Sequence, residues 1–360
     1  MPSGTLVIIS SNISQMAYNE NHTITTRLSY TETVVATCFY AFISLTAVFG
    51  NLLVMVAVKT TRNLQFTSNY LLANLALADF LQGALSLPLR LYELLKSGLN
   101  LRAFCPIAIP VSIVFGGTSN LNILFISVER LVAIRWPYLY YTHVTTRRVV
   151  ALILTGWVSM VFVAILPAVG WGGIQPQTVH VKFCRFPTFL TEKYITLLYL
   201  FIHVVPITVV IFLYSFLLRI SCSHVGRIHA QEVSIGKKHS STSLESQSAR
   251  RVDLKNSTNK QCLSQKIRKT ARQVKAMKTV SVVVGFFIIL VAPIVAIDVI
   301  EMLGGPKAPM SVIKVTVCMI YANQSVNVFI YAGFNSDYRK AFKRIISNVL
   351  TFVLNLITNK

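Results

Sequence analysis

Asp79 is the single charged side chain in an otherwise apolar stretch that runs from about residue 70 to residue 89. A buried carboxylate with neutral oxygen donors, such as Ser119, Asn323 and Asn327 could supply, suits a hard cation. A bound ion would also relieve the cost of burying the charge. We therefore predict an allosteric sodium ion at Asp79. In the alternative reading, Asp79 only forms hydrogen bonds with neighbouring helices.

Several other polar side chains lie in apolar stretches of the chain. They are numerous enough to predict one buried network around Asp79: Asn51, Asn74, Ser119, Asn120, Asn122, Asn323 and Asn327. Ionisable groups buried inside a long apolar stretch are costly, and their default reading is functional. We therefore favour a functional role for Asp79 over a purely structural one.

Patterns typical of enzymes do not occur in this chain. We find no cluster of metal ligands, no glycine-rich phosphate loop and no nucleophile elbow. The seven histidines are scattered, and His203 reads as a core or pocket residue. We predict that the protein is not an enzyme and that it carries no organic cofactor.

The composition is that of a membrane protein. The chain has 360 residues, of which 54% are hydrophobic and 13% are charged. Its mean hydropathy is +0.60, and its net charge is +22. Such a basic excess is typical of proteins that bind nucleic acid or an anionic membrane surface. Because nucleic-acid-binding proteins do not carry this much apolar sequence, we predict membrane lipids and no nucleic acid as partners.

Seven stretches are long enough to cross a hydrocarbon core, which takes about 20 residues. One is the Asp79 stretch. The other six carry no charge and lie between Glu32 and Lys59, Arg102 and Glu129, Arg148 and Lys182, Lys193 and Arg219, Lys278 and Asp298, and Lys314 and Asp337. We predict an all-α membrane protein, a bundle of seven transmembrane helices.

The flanking basic residues predict the orientation in the membrane. Of the 34 Lys and Arg residues, 25 fall on the side that holds the C-terminus and nine on the other. Since cytosolic loops carry the excess of basic residues, the N-terminus is expected outside. The glycosylation sequons at Asn12 and Asn21 agree with this orientation. Residues 1–30 contain no basic-then-apolar leader, so we expect the first span to direct insertion itself.

The chain divides into three regions. Residues 1–33 form a glycosylated extracellular N-terminus, and residues 34–334 form the transmembrane domain. That domain includes a basic cytosolic loop, residues 220–268, whose polar composition predicts disorder. In residues 335–360, apolar and basic residues alternate with a helical period from Asp337 to Ile346, which predicts an amphipathic helix in the inner membrane interface, followed by a tail.

Short motifs occur in each of the seven spans. In chain order they are Gly50-Asn51, Leu75-Ala76-Leu77-Ala78-Asp79, Glu129-Arg130, Trp157, Pro206 with Tyr214, Phe287 with Pro293, and Asn327-Val328-Phe329-Ile330-Tyr331. Each motif is weak alone, but their joint order resembles the rhodopsin-like (class A) G-protein-coupled receptors from about Thr33 to Ile346. The resemblance implies a plasma-membrane receptor with an outward ligand pocket and an inward site for a heterotrimeric G protein.

The resemblance also assigns roles to single residues. Arg130 would pair with Glu129 at rest and contact the G protein when released. Tyr214 and Tyr331 match tyrosines that swing inward to hold the active arrangement, and Tyr331 would thus belong with Asn51 to the activation network. Taken alone, Arg130 could be a snorkelling interfacial arginine, and the tyrosines could be interfacial aromatic residues.

A disulfide is implied in the same way. Cys105 stands at the outer start of the third span and Cys184 in the second outer loop, where the family bridges the loop to the helix. Both cysteines face an oxidising compartment. The pairing would restrain this loop over the ligand pocket.

The chain departs from the family at several positions. Val291 replaces the tryptophan that precedes the sixth-span proline by two residues, and Val328 replaces the proline of the seventh-span motif. Without that proline the seventh helix lacks a built-in break. Leu131 stands where the family has a tyrosine after Glu129-Arg130. Val291 and Gln324 also alter the usual lining of the sodium site.

The ligand site is expected between the outer ends of spans three, five, six and seven. Its predicted lining residues are Ser112, Phe186, Asp298 and Tyr321. Retinal would require a lysine at Tyr321, and a conventional monoamine would require an aspartate at Ser112. Adenosine receptors look similar around Phe186, which could stack on a planar base, although Asp298 and Tyr321 replace their purine-binding residues.

Asp298 leaves two readings open. It and Glu301 are the acidic side chains expected near the mouth of the pocket. If Asp298 faces the pocket, it attracts a cationic or donor-rich group, so the ligand could be amine-like or nucleoside-like. If it pairs with Lys307 or Lys314, it is a solvated helix end.

A membrane transporter or channel for a small solute is the alternative function. Such a protein would also hold polar groups at the membrane midplane, but it would show internal repeats or paired broken helices. We find no similarity between the two halves of the chain. A second-messenger response to a ligand would distinguish a receptor from a carrier.

Overall fold

A computed structural model describes residues 30–96, 98–172, 184, 186–216 and 279–358. The sequons at Asn12 and Asn21 and the loop 220–268 lie outside these residues. The predicted division of the chain into regions therefore stays a prediction.

Eight long helices make up most of the described chain. They are α1 (Tyr30–Thr60), α2 (Thr67–Leu95), α3 (Leu101–Arg135), α4 (Thr146–Ile165), α5 (Glu192–Phe216), α6 (Thr279–Met302), α7 (Met310–Phe334) and α8 (Ser336–Thr358). Short helical turns cover Arg62–Leu64, Pro137–His143 and Phe186–Phe189. The helices α1 to α7 confirm the predicted seven-helix membrane bundle, to which α8 is added.

The helices differ in how far the bundle buries them. More than half of the most apolar window is buried in α2 and in α3, against a third in α1. The helices α2 and α3 therefore form the centre of the bundle, while α1 turns most of its apolar surface outward. This arrangement explains why Asp79, on α2, is fully buried.

Two helices contain a widened turn in which the hydrogen bonds skip one residue more than in an α-helix. These π turns cover Gln82–Ser86 in α2 and Leu200–Val204 in α5. Each lies directly before a proline region, at Pro88 and Pro206. Because proline has no N–H to donate, the backbone adjusts around it. Both turns border the cavity described below.

The helices α1 and α7 approach closely at Gly50. A Cβ atom at this position would lie 2.8 Å from a Val328 methyl carbon, closer than carbon atoms pack. One helical position further along, Asn51 Nδ2 donates to the backbone oxygen of Gln324 at 2.9 Å. The helix α7 is continuous through Val328, as expected for a chain without proline there.

The helix α8 follows α7 after Asn335. Its first turns are packed against the bundle through Tyr338, Ala341 and Phe342, and Arg344 donates to Thr61 Oγ1 at 3.0 Å. The remaining turns expose a row of apolar side chains that ends with Leu354, Leu356 and Ile357. An amphipathic helix is confirmed, and its place in the membrane interface stays a prediction.

Candidate functional site

A disulfide joins Cys105 of α3 to Cys184, with the two Cα atoms 5.3 Å apart. The predicted pairing is therefore confirmed. The backbone N–H of Cys184 donates to Glu93 of α2, and Glu93 also pairs with Arg90 at 2.6 Å. The second loop is thus fixed to α3 covalently and to α2 through a carboxylate. We call this end of the bundle the disulfide end and the opposite one the Arg130 end.

A cavity of about 990 Å³ opens at the disulfide end. All four predicted ligand residues, Ser112, Phe186, Asp298 and Tyr321, line it. They come from α3, the Phe186–Phe189 turn, α6 and α7. The structure therefore brings the predicted set together, and their contact with a ligand stays a prediction.

Asp298 lies in the cavity wall and is only 2% exposed. The Tyr199 hydroxyl donates a hydrogen bond to its Oδ2. Lys314, one of the lysines considered as a partner, lies 3.2 Å from Glu32. Asp298 is therefore not a solvated helix end, and the reading in which it faces the cavity agrees with its position.

The expectation that Asp298 and Glu301 are the acidic groups near the pocket needs correction. Glu32 and Glu93 line the cavity as well, whereas Glu301 accepts a hydrogen bond from the backbone N–H of Ala308 at 3.0 Å. The sequence could have indicated the ion pair of Glu93, since Arg90 and Glu93 stand three residues apart on one helical face. The sequence gives no comparable indication for Glu32, which reaches the cavity because of how α1 packs against α7.

Three more polar residues line the cavity beside Asp298. The rings of Tyr199 and His203, one turn apart on α5, have their centres 5.4 Å apart. His203 Nδ1 lies 3.2 Å from Asn120 Nδ2 of α3. A polar chain therefore runs from Asp298 on α6 across α5 to α3. The sequence indicated His203 as a pocket residue and gave no reason to link it to Asn120.

The polar residues of the spans form separate groups, so the prediction of one network around Asp79 is wrong. Ser119 Oγ donates to Asp79 Oδ1 at 2.7 Å, and Asn327 Nδ2 donates to Asp79 Oδ2 at 2.8 Å. Asn74 and Asn122 instead bond each other at 2.8 Å. They form a second group because their side chains point toward Trp157 of α4, whose Nε1 donates to Asn74 at 3.0 Å.

Asn323 and Tyr331 are buried on α7 without joining the Asp79 hydrogen bonds. Within the described part of the chain, neither Asn323 Nδ2 nor the Tyr331 hydroxyl has a hydrogen-bond partner. The Tyr331 ring instead stacks on Tyr338 of α8, with ring centres 5.2 Å apart. Tyr331 therefore couples α7 to α8 by ring packing.

The residues around Asp79 suit a sodium ion. The carboxylate accepts two hydrogen bonds and keeps further lone pairs, and Ser119 adds a neutral oxygen. Elsewhere in α1 and α7, the buried oxygens Asn51 Oδ1 and Gln324 Oε1 have no partner among the described residues. Nowhere in the described ranges do three His, Cys, Asp or Glu side chains come together. The donor set thus favours a hard monovalent cation over a transition metal.

A polar cluster closes the Arg130 end. Arg130 Nε lies 3.1 Å from Glu129 Oε2, and Ser68 Oγ donates to Glu129 Oε1 at 2.5 Å. Tyr140 OH lies 3.0 Å from Ser68 Oγ. Burial, helped by the nearby Glu129 carboxylate, raises the pKa of Tyr140 to about 12, so its hydroxyl stays protonated. The arrangement holds Arg130 inside the bundle, with 8% of the residue exposed.

Tyr214 of α5 borders the same cluster. Its hydroxyl lies near enough to Ser127 on α3 and to Arg130 for both to act on it electrostatically. The predicted coupling residues Glu129, Arg130 and Tyr214 thus lie at one end of the bundle, as expected. Ser68 and Tyr140 extend this set and carried no motif in the sequence.

A family model described as "7 transmembrane receptor (rhodopsin family)" matches residues 50–331. The chain belongs to this family. It is therefore a rhodopsin-like, class A G-protein-coupled receptor by family, and a multi-pass membrane protein, as the motifs predicted. The family is one of receptors, not enzymes.

Adrenergic receptors are among the relatives of this receptor. It is 29% identical over 323 residues to the alpha-1D adrenergic receptor of Sus scrofa, covering 86% of this chain and 56% of that one. It is 26% identical over 353 residues to the alpha-1A adrenergic receptor of Oryzias latipes, covering 93% and 72%. The receptor thus spans little more than half the length of the alpha-1D protein. The likeness to adenosine receptors stays a prediction.

Val291, which departs from the family motif of the sixth span, lies in the core of the receptor. Val291 is fully buried, as is Phe287 one turn earlier on α6. Both belong to the apolar cluster that fills the centre of the bundle. The smaller side chain at 291 therefore leaves Phe287 as the buried aromatic group of this part of α6.

Proposed function

We propose that this receptor binds a small extracellular ligand in the cavity and activates a heterotrimeric G protein at the Arg130 end. The observation that carries the proposal is that α3 bears both sites. Ser112 lines the cavity, and Arg130 lies 18 residues further along the same helix, about 27 Å away at 1.5 Å per residue. A ligand that changes the position of α3 relative to its neighbours would act on both ends.

The G-protein contact would form at the ends of α3, α5 and α6 that surround Arg130. In the structure, Glu129 and its partners Ser68 and Tyr140 hold Arg130 inside the bundle. Release would require α6 to move outward, and Tyr214 would then be free to reach the arginine. The N-terminus would lie outside the cell, in agreement with the count of basic residues.

The ligand would carry a cationic or donor-rich group that binds Asp298. The relatives are adrenergic receptors by name, but Ser112 stands where an aspartate would bind an amine. Asp298 supplies a buried carboxylate from α6 instead, already oriented by Tyr199. Phe186 lines the same cavity and could stack on a planar group, worth about 0.5–1.5 kcal/mol beyond the area it buries. An amine-like or a nucleoside-like ligand would fit these contacts.

Asp298→Asn and Phe186→Ala test this site with any agonist found by screening the expressed receptor for cyclic-nucleotide or calcium responses. We expect Asp298→Asn to reduce agonist potency by roughly 30-fold or more, because truncating a buried charge pair costs about 2–5 kcal/mol. Phe186→Ala should reduce it by about threefold to tenfold.

Glu301→Gln is the matched control, since Glu301 lies one turn from Asp298 on α6 and does not line the cavity. Agonist potency at the Glu301→Gln variant should equal that at the unchanged receptor. Unaltered potency in both test variants would place the ligand elsewhere. Uptake of the compound into cells without any second-messenger response would indicate a carrier.

A sodium ion at Asp79 is the second part of the proposal. When bound, it would neutralise the carboxylate that Ser119 and Asn327 hold. An ion that binds only the folded state raises stability by RT ln(1 + [L]/Kd). We expect NaCl to raise the Tm of the purified receptor more than choline chloride at equal ionic strength, and Asp79→Asn to remove the difference. Equal effects of the two salts would contradict sodium binding.

A further inference from the structure

The cavity has a second part between α1, α2 and α7, at a distance from Asp298. The helix α1 contributes Glu32, Val35, Ala36, Phe39 and Tyr40. This spacing of three and four residues places all five on one side of the helix. The helix α1 therefore turns a whole face to the cavity. We call this part the α1–α7 lobe.

The helix α7 lines the cavity on two adjacent faces. Ile313, Val317 and Tyr321 are four residues apart and all line the cavity, and the Tyr321 ring packs against the Tyr40 ring of α1 with ring centres 5.7 Å apart. Lys314 and Cys318 also line the cavity and lie roughly 100° further round the helix.

Contacts show that this second face of α7 looks toward α1. Lys314 Nζ lies 3.2 Å from Glu32 Oε2, and Cys318 Sγ lies 3.7 Å from the Tyr40 hydroxyl. The cavity therefore continues past α7 into the space beside α1.

The walls of the lobe are mostly apolar. Its side chains include Val35, Ala36, Phe39, Leu94, Val315 and Cys318. The charged groups at its edges are paired, Glu32 with Lys314 and Arg90 with Glu93. Apolar walls with paired charges accept a hydrocarbon chain better than a second charged group.

The lobe is open toward the outside of the bundle. Val35 and Val315 line the cavity, yet they are 63% and 60% exposed. The ion pair between Glu32 and Lys314 bridges the two helices at the disulfide end. Ala36 and Phe39 follow one and two turns further along α1, inside the charge-free stretch that crosses the membrane. The exposed part of the cavity wall thus begins within one turn of the charged pair and lies in the charge-free stretch of α1 that is predicted to cross the membrane.

We propose that the α1–α7 lobe admits, from the membrane side, the alkyl or acyl chain of an amphiphilic ligand whose polar group is held at Asp298. This inference rests on the proposed function for the position of the polar group. A volume of about 990 Å³ lies at the upper end of the roughly 300–1,000 Å³ typical of small-ligand sites. It accommodates a hydrocarbon chain in addition to a polar group.

Photolabelling tests the proposal without a known agonist. The probe is dodecylamine that carries a diazirine at the far end of its chain, added to the receptor in lipid nanodiscs. After irradiation, mass spectrometry maps the labelled residues. We expect labelling to concentrate on the lobe residues of α1 and α7 and to fall when unlabelled dodecylamine is in excess. Labelling that is equally dense on the outward face of α4 would overturn the proposal.

Two alanines of α1 provide the matched variants. Ala36→Phe fills the lobe and should reduce its labelling by about tenfold, within the range of typical overpacking penalties. Ala41→Phe makes the same change at a position that does not line the cavity, and it should leave the labelling unchanged. Equal labelling in the two variants would contradict a chain-binding lobe.

One further variant and a second probe identify which molecule occupies the lobe. Asp298→Asn should weaken labelling by the amine, and unchanged labelling would overturn the placement of the polar group. A phosphatidylcholine with a diazirine in its acyl chain serves as the second probe. If it labels the lobe and dodecylamine does not displace it, the lobe is a site for bilayer lipid and the ligand proposal is wrong. Saturable amine labelling of the lobe would support this inference whether or not the amine activates a G protein, because the agonist-potency measurements on Asp298→Asn and Phe186→Ala test the proposed function separately.

Discussion

Replacing Arg130 by alanine should abolish G-protein activation while the receptor still reaches the cell surface. Truncating one partner of a buried charged contact costs about 2–5 kcal/mol of interface free energy. Agonist-stimulated nucleotide exchange on a purified G protein should therefore fall to the basal rate. Surface expression, measured by antibody binding to intact cells, should stay near that of the unchanged receptor.

Arg147→Ala is the control for loss of a positive charge at the same end of the bundle. Arg147 lies in the first turn of α4 and is exposed, outside the proposed contact. Agonist-stimulated nucleotide exchange with the Arg147→Ala variant should be close to that with the unchanged receptor. Full stimulated exchange in a surface-expressed Arg130→Ala variant would remove Arg130 from the proposed role and leave it as an interfacial arginine.

Replacing Glu93 by alanine should lower the free energy of unfolding by roughly 3 kcal/mol. The change leaves Arg90 without its carboxylate and removes the acceptor of the Cys184 N–H. Breaking a buried ion pair from one side typically costs about 3–5 kcal/mol. We place the loss at the lower end because the Arg90 side chain is 21% exposed. Thermal or denaturant unfolding of the purified receptor measures the effect.

Two comparisons separate the contributions to this loss. Arg90→Met combined with Glu93→Gln removes both charges and keeps an oxygen for the Cys184 N–H, so it should recover most of the stability. Glu32→Ala breaks the exposed pair with Lys314, for which about 0–1 kcal/mol is typical. A Glu93→Ala variant no less stable than Glu32→Ala would show that the Glu93 contacts contribute little.

The sequence was sufficient to predict the bundle. Charge-free stretches of about 20 residues can cross a bilayer only as helices or closed barrels. The span motifs then indicated which span of the family each stretch corresponds to. The ends of the helices were less predictable, because helices continue beyond the apolar core. The helix α2, for example, reaches Leu95, and its last turns carry Arg90 and Glu93.

The site was predictable where one residue type carried the signal. Asp79 stood out as a lone charge. Ser112, Asp298 and Tyr321 were assigned from their places in the spans, and Phe186 from its place two residues beyond Cys184. Contacts between helices were not predictable in this way. The link from Asn120 to His203, or from Glu93 to the loop at Cys184, depends on helix rotation and packing, which composition and spacing leave open.

The continuous backbone of α7 at Val328 changes what Asn51 is needed for. A proline at 328 would supply no N–H to the carbonyl of Gln324, and the Asn51 amide would then be the donor that keeps this buried acceptor from being orphaned. With valine the carbonyl receives an intrahelical hydrogen bond as well as the one from Asn51. The link between α1 and α7 is therefore redundant for backbone satisfaction, so losing it would loosen two helices without leaving an unpaired acceptor in the membrane.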